Sequence, residues 1–583
     1  MTYPNRNTLW GAVVADELAA AGVEAAVLAP GSRSTPLTTA IADHDAIEPF
    51  SLLDERPAAF FALGRAKRTG RPVPVVTTSG TAAANLHPAV VEASRARVPM
   101  LLLTADRPRE LQDSGANQTV DQEKLYGDAV RAYRTLPEPA ADDRTLRSLR
   151  TALARAVATA TGTHPGPVHL NVPFAKPLEP TPVEGDVPEG FAEKYPLAVD
   201  GRDGPFVSVT QGRPEPSAHD RAALVDAVES AERGLIVAGP DSDIRTDALR
   251  GLARASGFPV LADPLSGARF GDHAAGDAVT LCGGYDGYVD GLDVCPDLVL
   301  RFGASPTSKP LRKYLAEAGR EGARQVVVDP AGGWREAEFT ATDLVVADPT
   351  RLAAGLAGRI EREPGAWRER FERLEADYWA QTTGEELFEG AVLQEVAAGA
   401  PDPSTLFVSN SMPVRDLDRF GRPRAAEVTA LGNRGASGID GITSSALGAG
   451  SATDEPLVLV IGDLAYYHDA NGLLAVQRCG VDATVVLINN DGGGIFHMLP
   501  IESFDPPFTE FFRTPHGLDF APTGELYGLE FAHVGSLEAF ADAYRASLES
   551  AGTQVIEVQV DAEASHRRRE RHHDRVRKAL HGD

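Results

Sequence analysis

The chain has 583 residues, too many for one hydrophobic core, so two to four domains of ordinary size are expected. With 56 Lys and Arg against 83 Asp and Glu, its net charge of −27 disfavours nucleic acid or anionic membrane as a partner. No run of about 20 apolar residues exists to cross a bilayer, and Cys282, Cys295 and Cys479 form neither a CxxC pair nor a Cys/His zinc spacing.

The opening MTYPNRNTLW lacks the layout of a secretory signal, which points to a cytoplasmic protein. The acidic residues are spread along the whole chain, as expected of a surface adapted to high salt, so a halophilic source is expected. In residues 1–185 apolar strands are expected at Ala25–Ala29, Val73–Thr77, 100–104 and 168–172, with helical patterns between them. Such alternation indicates a mostly parallel sheet covered on both faces. A further apolar strand near 51–53 leads into a helix over 58–67.

Pro, Glu and Gly crowd the stretch that follows, and 186–216 reads as a linker. A central domain, 217–360, alternates again, with strands at Gly234–Ala238, Val260–Ala262, Leu298–Phe302 and 325–328. A polar helical stretch makes 361–390 a second linker. The last domain, 391–583, has strands at 406–409, 457–461, 484–488 and 554–560, and ends in an Arg- and His-rich helical tail. The fold class is therefore α/β, with three doubly wound, mostly parallel-sheet domains. No GK[ST] phosphate loop appears, nor does a G-x-G-x-x-G follow the first strand, which disfavours an NTPase or a dehydrogenase.

Chemistry concentrates at two strand ends of the last domain. The run 457–461 ends at Gly462-Asp463, and the next strand ends at Asn489-Asn490, followed by Asp491-Gly492-Gly493-Gly494. Open α/β sheets bind ligands at the carboxyl ends of their strands. One carboxylate from Asp463, one amide oxygen from Asn490 and a backbone carbonyl from Gly492 suit Mg²⁺ (or Mn²⁺), a hard cation that keeps the phosphates of its ligand. A helix over 467–478 is expected to aim its N-terminus at a diphosphate.

This arrangement resembles the thiamine diphosphate-dependent enzymes, in which Gly-Asp is followed one helix and one strand later by Asn. Leu464 stands where many members have Gly. Together with Tyr467-His468-Asp469 and Asn471-Gly472-Leu473-Leu474, it resembles one branch, the 2-succinyl-5-enolpyruvyl-6-hydroxy-3-cyclohexene-1-carboxylate synthases of menaquinone biosynthesis. The segments Pro30-Gly31-Ser32-Arg33-Ser34-Thr35-Pro36 and Asn433-Arg434-Gly435-Ala436-Ser437-Gly438-Ile439-Asp440-Gly441 are similar to motifs of the same branch.

The resemblance implies thiamine diphosphate as cofactor, with Glu55 of Asp54-Glu55-Arg56 activating it through N1′ of the aminopyrimidine ring. It implies Gly462, Ser411 and Ile439 as further cofactor contacts, with Ile439 supporting the bent cofactor. The implied substrates are 2-oxoglutarate and isochorismate, both dianions, for which arginine forks are suited. Substrate contacts are implied for Ser32, Arg33, Arg107, Asn117, Gln118, Arg415 and Arg434, with Phe496 as a wall. Lys309 is implied as well, although Pro310 follows it where some members have Arg.

The reaction so implied is decarboxylation of 2-oxoglutarate and 1,4-addition of the four-carbon carbanion to isochorismate. A homodimer or homotetramer with active sites shared between subunits is implied too. Two other readings are a different thiamine diphosphate-dependent decarboxylase or carboligase, and a non-catalytic regulator on the same fold. Leu464 and the arginine-bearing loops disfavour the first, and Glu55, Asp463 and Asn490 the second.

Overall fold

The computed structural model describes residues 3–274, 276, 279–382 and 386–581. Gly582 and Asp583, at the end of the expected basic tail, and residues 383–385 of the expected helical linker lie outside the described residues.

The apolar runs become strands buried over most of their length, except that the strand expected near 51–53 lies earlier, at Glu48–Ser51, with Phe50 its one buried residue. The first sheet contains β1 (Ala25–Ala29), β2 (Glu48–Ser51), β3 (Val73–Thr77), β4 (Met100–Asp106), β5 (Ala132–Thr135) and β6 (Pro167–Pro173), in the order β2-β1-β3-β4-β6-β5. The second contains β7 (Gly234–Ala238), β8 (Val260–Ala262), β9 (Leu281–Cys282), β10 (Leu298–Phe302), β11 (Arg324–Val328) and β12 (Asp343–Val345), in the order β12-β11-β10-β7-β8-β9. The third contains β13 (Ser404–Val408), β14 (Val428–Leu431), β15 (Leu457–Gly462), β16 (Thr484–Asn489), β17 (Glu530–Val534) and β18 (Gln554–Gln559), in the order β14-β13-β15-β16-β18-β17. Every pairing within the three sheets is parallel, as expected where helices cover both faces.

The chain forms two compact units. The first comprises 1–211 with 433–454 and 468–482, and the second comprises 212–432, 455–467 and 483–583. Within the first unit the stretch after β6 packs rather than trails, with Phe191, Ala198 and Val199 joining the core of the first sheet. The second unit holds the other two sheets.

Three helices differ from expectation. The helix expected over 58–67 runs Glu55–Thr69, because Asp54 caps it by accepting from the Arg56 backbone N–H at 3.0 Å. Glu55 is thus its first residue, one turn nearer the strand than the apolar pattern suggested. The helix expected over 467–478 begins at Asp463 and breaks at Asp469 into a helix Asp463–His468, a 3₁₀ turn Ala470–Leu473 and a helix Leu474–Cys479. The polar stretch before the last domain forms the helix Ala366–Gln381, beginning only after Pro364.

Candidate functional site

In the first unit, the carboxyl ends of β1, β3 and β4 carry Arg33, Ser79 and Arg107. Arg33 is only 4% exposed; its Nη1 donates to the Phe174 carbonyl at 2.6 Å, while its buried Nε has no protein partner. Arg107 donates from Nη2 to the Asn117 carbonyl at 2.5 Å and likewise keeps a buried, unpartnered Nε. Buried donors left without acceptors are uncommon and costly, so a ligand carboxylate would satisfy both. Gln118, at φ +56°, donates from Nε2 to the Ser79 carbonyl at 3.1 Å, which fixes the loop bearing exposed Asn117 and Gln118. Ser32 is exposed at the same strand end as Arg33.

Glu55 starts its helix in a turn that the same unit braces. Arg56 donates from Nη2 to the His468 carbonyl at 2.8 Å, and Asn471 donates to Asp54 Oδ2 at 3.4 Å. Asp469, fully buried, accepts from the Ser444 N–H at 2.7 Å, and its burial pushes its pKa up to about 6. His468 of Tyr-His-Asp and Asn471 of Asn-Gly-Leu-Leu thus support the turn that presents Glu55. The helix Glu55–Thr69 packs on the helix Ile442–Gly450 at van der Waals contact of backbones: a Cβ on Gly64 would lie 1.8 Å from the Ser445 carbonyl oxygen. Ahead of that helix, Glu92 accepts from the N–H groups of Gly435 (2.7 Å), Ala436 (2.6 Å) and Ser437 (3.2 Å). This nest of amides around a buried carboxylate shapes the loop that carries Arg434 and Ile439, both half-buried.

In the second unit β15 and β16 lie side by side, with Gly462 opposite Ile488. Their carboxyl ends therefore bring Asp463, Asn490 and Gly492 together. Asp463, 2% exposed, accepts from the N–H groups of Leu464 (2.7 Å), Gly492 (2.9 Å) and Asn490 (3.1 Å). Burial raises its pKa, and the Gly492 and Leu464 amides oppose the rise. His516 Nε2 lies 3.2 Å from Asp463 Oδ2, while the His516 N–H is held by Asp491 Oδ1 at 2.9 Å.

The side chain of Asn490 is set by a chain of buried charges. Its Nδ2 donates to Glu389 Oε1 at 2.6 Å, and Glu389 also pairs with Arg569, which grips Asp416 at 2.7 and 2.5 Å. Burial opposes the Arg569 charge, but Asp416 and Glu389 outweigh it and hold its pKa above the ordinary value. With the nitrogen committed, Asn490 Oδ1 is buried and has no protein partner. An aimed, orphaned amide oxygen beside a carboxylate is what an oxygen-seeking cation requires.

Gly492 closes the site at φ +134°, where a Cβ would stand 2.0 Å from the Arg513 carbonyl oxygen. Gly492→Ala should therefore force the 492 and 513 backbones apart. We expect a loss of about 1–3 kcal/mol in urea unfolding; an unchanged midpoint would show that the turn yields freely.

Of the other expected contacts, Ser411 precedes the helix Met412–Phe420 at φ +69° without a side-chain capping bond, and Arg415 donates back to its carbonyl. Phe496 meets Phe512 edge-on at 5.5 Å. Lys309 is exposed at the start of the helix after β10, in the second sheet rather than among the Asp463 loops. His516 and Glu389 were not legible in the sequence: they lie 53 residues after Asp463 and 101 before Asn490, and no local pattern marks either.

Two family models match the chain. Residues 10–125 match the N-terminal TPP binding domain of thiamine pyrophosphate enzymes, and residues 426–558 the C-terminal TPP binding domain. The synthase named 2-succinyl-5-enolpyruvyl-6-hydroxy-3-cyclohexene-1-carboxylate synthase from Natronomonas pharaonis is 63% identical over 97% of both chains. The chain belongs to this synthase family. Members with the same name from Halobacterium salinarum and Haloarcula marismortui are 62% and 60% identical, over 99% and 100% of both chains. A thiamine diphosphate-dependent 4-hydroxybenzoylformate decarboxylase from Rhodococcus jostii superposes with a TM-score of 0.71 over 95% of this chain and 99% of its own, at 19% identity, which shows the shared three-sheet fold. Among the described residues no helix is long and apolar enough to cross a membrane.

Proposed function

We propose that this synthase-family chain decarboxylates 2-oxoglutarate and adds the resulting four-carbon unit to isochorismate. The products are 2-succinyl-5-enolpyruvyl-6-hydroxy-3-cyclohexene-1-carboxylate and CO₂, in menaquinone biosynthesis. The observation that carries the reading is the pairing of 60–63% identity to so-named synthases with the Asp463–Asn490–Gly492 cluster at adjacent strand ends.

Thiamine diphosphate, when bound, supplies the nucleophilic carbon and accepts the electrons released with CO₂. Glu55 holds the proton shared with N1′ of its aminopyrimidine. Asp463, Asn490 Oδ1 and the Gly492 carbonyl would hold Mg²⁺ (or Mn²⁺), which would offset the negative charge of the diphosphate. That donor set has a single carboxylate, so it falls outside clusters of three His, Cys, Asp or Glu, of which none capable of holding a metal occurs among the described residues. Arg33 and Arg107, with unpartnered Nε donors, bind substrate carboxylates, and Ser32, Asn117, Gln118, Arg415, Arg434 and Phe496 are further substrate contacts. Mass spectrometry of the product from isochorismate, 2-oxoglutarate, thiamine diphosphate and Mg²⁺ tests the reading. CO₂ release that proceeds at full rate without isochorismate would instead identify a simple decarboxylase.

Glu389 acts as a positioning residue for Asn490. Glu389→Ala should leave Arg569 half-paired in the interior, costing about 3 kcal/mol or more of stability, and should weaken Mg²⁺ binding about 10–100-fold. Glu389→Gln, which keeps an oxygen for Asn490, should recover much of the metal affinity; equal Mg²⁺ titrations for both variants and the parent would remove Glu389 from this role.

The protein works in the cytoplasm as a homodimer or homotetramer with sites shared between subunits, which light scattering on the holoenzyme tests. The net charge of −27 and the haloarchaeal relatives support a halophilic source. Lowering salt from about 1 M to about 0.01 M lengthens the Debye length from about 3 to 30 Å. Carboxylate repulsion should then lower the melting temperature steeply; circular dichroism that shows no change on desalting would overturn this.

A further inference from the structure

Away from the strand-end site, the C-terminal helix Ala562–His581 carries Arg568, Arg571 and Arg575 on one face, three and four residues apart. The same helix turns Arg569 inward, where it is consumed by Glu389 and Asp416. The outward arginines line a cavity of about 790 Å³ within the second unit. Phe388 and Phe420 form its apolar wall, meeting edge-on at 5.4 Å, and the Arg568 guanidinium sits 5.6 Å over the Phe388 ring.

His572 closes the back of the cavity, packed 5.3 Å from Phe420 and touching Thr382 Oγ1 at 3.3 Å. Burial brings its pKa to about 4, so it presents a neutral ring. Positive charge comes from the arginines among the described lining residues. Glu386, at the rim, pairs with Arg568. Arg575 gives one N–H to the Gln381 carbonyl at 2.9 Å and keeps the rest of its fork. The pKa of Arg568 is lowered, by burial first and by the neighbouring Arg571 charge second.

Guanidinium groups gathered on an otherwise acidic protein do not stabilise one another. Their mutual repulsion is relieved by an anion, and the two phenyl rings add apolar surface that a bare inorganic ion cannot use. A protein of net charge −27 also repels small anions at long range, so contact interactions must supply the affinity.

We propose that this cavity is a second binding site, separate from the strand-end site, for a small aromatic anion. Its ring lies against Phe388 and Phe420, and its carboxylate or sulfonate group is held by Arg571 and Arg575.

The test uses 1-anilinonaphthalene-8-sulfonate, followed by fluorescence on the holoenzyme loaded with thiamine diphosphate and Mg²⁺, in salt that keeps it folded. One saturable site per chain is expected. The double variant Arg571→Gln/Arg575→Gln should weaken binding about 10-fold or more. Arg320→Gln/Arg545→Gln, which removes two exposed arginines elsewhere, should leave it within about 2-fold. N-phenyl-1-naphthylamine, the uncharged analogue, and inorganic pyrophosphate, the anion without a ring, should each bind at least about 10-fold more weakly. Equal binding of the uncharged analogue would reduce the site to an apolar groove. Equal binding of pyrophosphate would remove the role of the rings. Unchanged affinity in the Arg571/Arg575 variant, with its circular dichroism intact, would overturn the proposal outright.

Discussion

Asp463→Ala should abolish metal-dependent binding of thiamine diphosphate, and Asp463→Asn should weaken it by about 100-fold or more while the chain stays folded. The two variants separate two jobs of one carboxylate. As an acceptor, Asp463 satisfies the N–H groups of Leu464, Asn490 and Gly492, so Ala strands up to three amides in a site only 2% exposed, at about 1–3 kcal/mol each. Asparagine keeps one oxygen for those amides but removes the charge that a divalent cation needs. Urea unfolding reads the first effect, and isothermal titration with thiamine diphosphate and Mg²⁺ the second. Asp463→Asn binding the cofactor within a few-fold of the parent would place the metal elsewhere.

Glu55→Gln should lower kcat by about 10²–10⁴-fold with cofactor affinity nearly unchanged. A glutamate at a strand–helix junction is commonly a cap, and its loss would then cost stability. Here Asp54 does the capping, through the Arg56 N–H at 3.0 Å, and His468 and Asn471 brace the same turn. Glu55 is therefore not needed to start the helix, and the Gln variant should melt within a few degrees of the parent. Gln can still touch N1′ but cannot share a titrating proton there. The exchange rate of the cofactor's C2 proton in deuterated buffer, followed by NMR, should fall in step with kcat. Normal exchange, or a large loss of melting temperature without loss of exchange, would make Glu55 structural.

What the sequence legibly carried was local. Runs such as 457–461 and 485–488 are apolar at every position because their strands are buried on both faces in the middle of a parallel sheet. The strands without such a signal, β5, β9, β12, β14 and β17, are all at sheet edges. β5 alternates exposed and half-buried positions, β12 and β17 have no buried residue, and β9 has only two residues. An edge strand is covered on fewer sides, so its composition approaches that of a loop.

The same division runs through the site. Gly462-Asp463 and Asn489-Asn490-Asp491-Gly492 could be read from the chain because each follows its strand directly, and parallel strands send their carboxyl ends to one edge. The turn-specific residues there, Gly492 above all, are likewise demanded by local backbone geometry. His516 beside Asp463, and the Asn490–Glu389–Arg569–Asp416 chain, were decided only in three dimensions. Their partners are 53 to 180 residues apart. A hydrogen bond at that separation depends on how whole helices pack, and packing leaves no periodic mark on either partner. The sequence by itself determined the strand ends, the turn glycines and the family motifs. Tertiary structure alone decided which buried charges hold Asn490 in place, because those charges are tolerated in the interior only when distant segments bring their counter-charges to them.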